Sequence, residues 1–130
     1  MLDFRIDTKN GLAPYAQLVQ QVKQALRLGW LQPGDKLPTV QEVATGVAVN
    51  PNTVQKAYKE LEQEGLVVGR PGQGTFVQRS LSQSTPASLS SLGRRLERWI
   101  VAARAAGLDD DGIMDVVGAT MRESRVEASA

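Results

Sequence analysis

Leu2, Phe4 and Ile6 alternate with charged residues, the period of a half-buried strand. From Pro14 the period becomes helical: Tyr15, Leu18, Val19, Val22 and Leu26 share one face, Gln17, Gln20, Gln21 and Lys23 the other, and Gly29 ends the run. The segment LQPGDKLP, with two prolines and a glycine, predicts a tight connection. Thr39 and Glu42 then form a T-x-x-E capping box that launches a short second helix to about Gly46. A third helix is expected from Pro51 to about Glu64, with Asn50 as N-cap, Pro51 in the first position, Val54, Ala57, Tyr58 and Leu61 as its apolar stripe, and Gly65 as its terminator. Two helices joined this closely make a helix-turn-helix. The run LVVGRPGQGTFVQ behind them reads as a β-hairpin, so residues 1–79 are expected to form a winged helix.

Residues 80–88 fall in a serine-rich stretch with the composition of a linker. Beyond it Leu89, Leu92, Leu96, Trp99, Ala103 and Ala106 recur at alternating spacings of three and four, a helix with a narrow apolar seam that Gly107 ends. Asp109 is the expected N-cap of a last helix, with Asp110 and Asp111 in its first turn and Ile113, Val116, Val117 and Met121 on one side. One further short helix is too small to cover that seam, so residues 89–130 are expected to form a helical hairpin for dimerisation, with a frayed C-terminus. Leu89, Leu92, Leu96, Trp99, Ile100, Ile113, Val117 and Met121 would form its contact. The fold class is mainly α with a small β-wing, and no internal repeat is visible.

Composition narrows the chemistry. The 130 residues include no Cys, which excludes disulfides and thiolate metal sites, and no His, the commonest general base. No pair of carboxylates stands out for acid–base work, so neither an enzyme, a cofactor nor a metal is expected. The charged start MLDFRID is unlike a signal peptide, and no apolar run approaches the roughly eighteen residues of a membrane span, which makes a cytoplasmic protein without membrane contact the expectation. Net charge is +1. Residues 1–80 carry nine basic against seven acidic side chains and residues 81–130 six against seven, so contact with nucleic acid must come from local placement of charge.

Placement points to the start of the third helix. Its N-terminal residues enter the major groove in a helix-turn-helix, where Asn and Gln match adenine's donor and acceptor. That gives Asn52, Thr53 and Gln55 a base-reading role which capping and a solvated face do not supply. Lys56 and Lys59, a turn further on, suit phosphate oxygens. At the hairpin tip Arg70-Pro71-Gly72-Gln73-Gly74, the missing glycine side chains let backbone approach a sugar–phosphate wall, while Arg70 enters or flanks a minor groove. A nucleotide loop is disfavoured there because no helix N-terminus follows. Asp109, Asp110 and Asp111 lack calcium-loop spacing. Arg94, Arg95, Arg98 and Arg104 form either a second nucleic-acid patch or, more simply, the solvated flank of the leucine seam.

Residues 13–77 resemble the N-terminal winged helix of the GntR family of bacterial transcription regulators, through P-G-D-K-L-P, V-N-P-N-T-V and G-x-G-T-F-V at the family's separations. The short C-terminus resembles the YtrA subgroup, whose two helices dimerise in place of a ligand domain. This likeness implies a dimeric repressor of a pseudo-palindromic operator, with a transporter operon as an expected target. It also implies DNA contacts at Thr39, Gln41, Asn50, Asn52, Thr53, Gln55 and the wing around Gly72. Gln41 departs from the family's usual arginine, which removes a charged contact. With the modest net charge, that departure permits an alternative, a winged helix serving as a protein-interaction module. Operator sequence, regulated genes and any small-molecule effector are not legible in the chain.

Overall fold

The computed structural model describes residues 2–129, with side chains described as far as residue 125. It divides into two compact units, residues 1–86 and 87–130.

In the first unit, helices α1 (Pro14–Arg27), α2 (Val40–Val47) and α3 (Pro51–Gln63) precede the strands β1 (Val67–Arg70) and β2 (Gly74–Val77). Each helix buries the face its period defines. Leu18, Val22 and Leu26 of α1 meet Val54, Ala57 and Leu61 of α3, with Val43 and Ala44 of α2, Leu37, and Leu66, Val67 and Val77 of the wing completing one core. Each Leu or Val side chain in it contributes about 1.5–3 kcal/mol through burial. Asn50 caps α3 by accepting the Asn52 N–H at 2.8 Å, and Thr39 caps α2 by accepting the Glu42 N–H at 3.1 Å. The return bond of a capping box, donated by the Thr39 N–H to the Glu42 carboxylate, is missing among the described residues. Burial, then the charge of Glu42, pushes the Tyr58 phenol above its usual range.

The segment holding Leu2, Phe4 and Ile6 is half-buried, but it forms no strand, because no strand pairs with it among the described residues. Glutamine amides take that place, since each offers the donor and acceptor of a peptide group. Gln21 accepts the Arg5 N–H at 2.9 Å and donates to the Arg5 carbonyl. Gln17 accepts the Asp7 N–H at 2.9 Å and donates to the carbonyls of Asp7 and Leu12. Gln17, expected on the polar face, is therefore buried, with every hydrogen bond satisfied.

β1 and β2 pair antiparallel from Val67 opposite Val77 to Arg70 opposite Gly74. The hairpin also gains a third pairing segment. Gly34 N–H donates to the Val77 carbonyl at 2.9 Å, Val77 N–H to Asp35 at 2.8 Å and Leu37 N–H to Thr75 at 2.8 Å, which sets Lys36 opposite Phe76. A lone two-stranded hairpin is marginal in water, and this added ladder, drawn from the α1–α2 connection, steadies it.

In the second unit, α4 (Pro86–Ala105) and α5 (Asp110–Ser129) flank Gly107, whose φ of +97° suits glycine. Helix α4 begins at Pro86, inside the stretch read as a linker, because proline's fixed φ is preorganised for a first helical position. Asp109 caps α5 by accepting the Gly112 N–H at 2.9 Å. The backbone of α5 stays helical through Ser129, and Ala130, the end of the stretch expected to fray, lies outside the described residues.

Candidate nucleic-acid interface

On α3, with 3.6 residues per turn, Asn52, Gln55, Lys56 and Lys59 fall within an arc of roughly 100°, opposite the stripe of Val54, Ala57, Tyr58 and Leu61. All four are exposed, and Thr53 sits half-buried at the edge of the arc. The side chains of Asn52, Gln55 and Lys59 make no hydrogen bond or ion pair to described residues. Lys56 is held differently, with its ammonium 3.8 Å above the Tyr15 ring of α1. Asn50 commits its side-chain oxygen to the cap, which leaves its amide N–H groups to donate outward.

Several contacts fix this face in space. Tyr58 donates its hydroxyl to the Pro38 carbonyl at 2.6 Å, tying α3 to the start of α2. Lys23 and Glu64 pair at 2.8 Å between α1 and the end of α3. Glu62 accepts the Gly69 N–H at 2.9 Å and so anchors the wing to the same helix. Thr39 and Gln41 are exposed at the start of α2, where Gln41 donates to Thr45 Oγ1 at a long 3.4 Å.

At the wing tip, Gln73 N–H closes the turn on the Arg70 carbonyl at 2.9 Å, and Gly72 adopts φ +75°. Arg70 lies 4.7 Å from the centre of the Phe76 ring. The exposed residues Arg70, Gly72 and Gln73 thus crown a hydrogen-bonded turn. Lys36 joins them: its Cε passes 2.7 Å from the point a Cβ on Gly74 would occupy. Local sequence pattern assigns Lys36 no role, because its position depends on pairing with a strand nearly forty residues downstream.

The expected dimerisation residues divide by exposure. Leu92 (54%), Leu96 (51%), Trp99 (37%) and Met121 (55%) are exposed, Leu89, Ile100 and Val117 are partly covered, and Ile113 is buried, as is Ala103 across the Gly107 turn. Among the described residues no cluster of His, Cys, Asp or Glu could hold a metal, and no helix is long and apolar enough to cross a membrane.

A helix-turn-helix with a polar outward face on its second helix and a basic wing beside it defines a DNA-binding transcription regulator. Residues 14–77 match the gntR family of bacterial regulatory proteins. The HTH-type transcriptional repressor YtrA of Bacillus subtilis (strain 168) is 38% identical over 106 residues, which span 81% of this chain and 82% of that protein. The structure of YtrA from Sulfolobus acidocaldarius, a GntR-family transcription factor, superposes with a TM-score of 0.54 at 30% identity, covering 78% of this chain and 96% of that one. The AraR DNA-binding domain in complex with operator ORE1 gives 0.50 at 30% identity over 55% of this chain and 88% of that one. The chain belongs to the GntR family and is a regulator, not an enzyme.

Proposed function

We propose that the protein is a cytoplasmic, dimeric repressor that binds a pseudo-palindromic operator through residues 1–79. Asn52, Thr53 and Gln55 read base edges in the major groove. Lys56 and Lys59 hold phosphates, joined at the helix starts by Thr39, Gln41 and Asn50. Arg70, Gly72 and Gln73 bring the wing against the neighbouring sugar–phosphate wall. The observation that carries this reading is the exposed arc of Asn52, Gln55 and Lys59 on the second helix of the motif, set opposite a fully buried stripe. Repression and the operator are supported by the name of the Bacillus relative and by the operator complex of the AraR domain.

Dimerisation through the second unit rests on its exposed seam. Leu89, Leu92, Leu96 and Trp99 follow one stripe of α4, and Val117 and Met121 follow one of α5. A second copy is the natural cover for such surface, because a single winged helix reads too few bases for high specificity. Residues 80–85 are then the link between the DNA-binding and dimerising units.

Migration of the purified protein with a random-sequence duplex at low and high salt tests the DNA-binding role. The expected result is retardation of the duplex at low salt that fades as salt rises, the signature of released counterions. A duplex that migrates freely at every salt concentration would instead favour a protein-interaction module.

A further inference from the structure

We propose that the wing grips the DNA backbone with two cations, Lys36 and Arg70, the first supplied by the α1–α2 connection and not by the wing itself. The inference rests on the DNA-binding reading above and adds a residue to it. Cross-strand partners project from the same side of a sheet, and so do residues two apart along a strand. Lys36 faces Phe76, Val68 faces Phe76, and Arg70 faces Gly74, so Lys36, Phe76, Arg70 and Gly74 share the side away from the core residues Val67 and Val77.

Three details direct Lys36 toward the tip. The Arg70–Gly74 pair is the last before the turn, and the Lys36 stem runs into the space that the missing Gly74 side chain leaves. Gly74 adopts φ +126°, a conformation that glycine alone holds readily, so the clearance and the backbone shape come from one residue. Arg70, the cross-strand partner of Gly74, packs its guanidinium over Phe76, the residue paired with Lys36. Among the described residues neither Lys36 nor Arg70 forms an ion pair, and the adjoining Asp35 turns its carboxylate back to accept the Gln32 N–H at 2.9 Å. Two uncompensated cations on one side of a glycine-lined tip suit successive phosphates of a strand that passes the wing.

The test is a salt titration of full-length wild type, Lys36→Gln, Lys36→Arg and Arg70→Gln on a random-sequence duplex. Each Gln variant should flatten the slope of log K against log salt by about 0.9 for every subunit on the duplex, and weaken binding at 0.1 M salt roughly eightfold per lost contact. Lys36→Arg should keep the wild-type slope, and all variants should keep the wild-type melting midpoint. If Lys36→Gln binds with the wild-type slope and affinity, the clamp is refuted while the DNA-binding reading stands. Failure of the wild type to bind any duplex would overturn both. A Lys36→Gln loss that Lys36→Arg shares would also refute the clamp, since charge would not be its cause.

Discussion

At the scale of single residues, the exposed polar face of α3 holds side chains of two different chemistries. Asn52 presents an amide with both donor and acceptor, the pattern of an adenine edge, whereas Lys59 presents only a point charge. Asn52→Ala should cost about 1–3 kcal/mol on the preferred sequence and relax selectivity at one position in each half-site. Lys59→Ala should weaken binding to every sequence alike. Binding profiles across a set of single-base operator variants separate the two effects, and an Asn52→Ala profile parallel to wild type would remove that side chain from base reading. This contrast was legible in the sequence, because residue type and helical position suffice for it. The partners of Gln17 and Gln21 were not, since an amide on the polar side of a helix looks the same whether it meets water or a strand-like segment.

At the scale of elements, helical period and capping chemistry placed the five helices and the hairpin, while pairings distant in sequence stayed hidden. The third segment of the wing lies in a proline-glycine connection with no strand period, and α4 opens inside a serine-rich stretch whose composition resembles a linker. The turn between α2 and α3 holds a further feature that spacing does not show. Ala48 sits at φ 55°, ψ 50°, the left-handed region, where its N–H closes α2 on the Ala44 carbonyl. A Cβ is strained there and Ala48 is exposed, so little packing offsets the strain. Glycine removes the clash at some cost in unfolded-chain entropy. Ala48→Gly should therefore stabilise the first unit by up to about 1 kcal/mol, a rise of a few degrees in its melting midpoint. A lowered midpoint would mean that the turn relies on the stiffness of alanine.

At the scale of the whole molecule, the proposed function gives the two units separate work. If the first reads DNA and the second sets how many copies read together, a defect in one should leave the fold of the other intact. Leu96 is 51% exposed in the single chain, and a charge there harms only an assembled seam. Leu96→Glu should shift the protein from dimer to monomer in sedimentation and weaken binding to a full operator far more than to a single half-site, because the two half-sites lose their effective concentration. A Leu96→Glu protein that still sediments as a dimer would move the interface elsewhere.

The central claim, that paired copies of α3 read a two-fold symmetric sequence, meets its most direct test in selection of duplexes from a random pool by the full-length protein. The account predicts enrichment of two inverted half-sites whose centres lie about 10 base pairs apart, one turn of DNA, or a multiple of that. A pool that emerges without a shared sequence, or with a single unrepeated site, would contradict it.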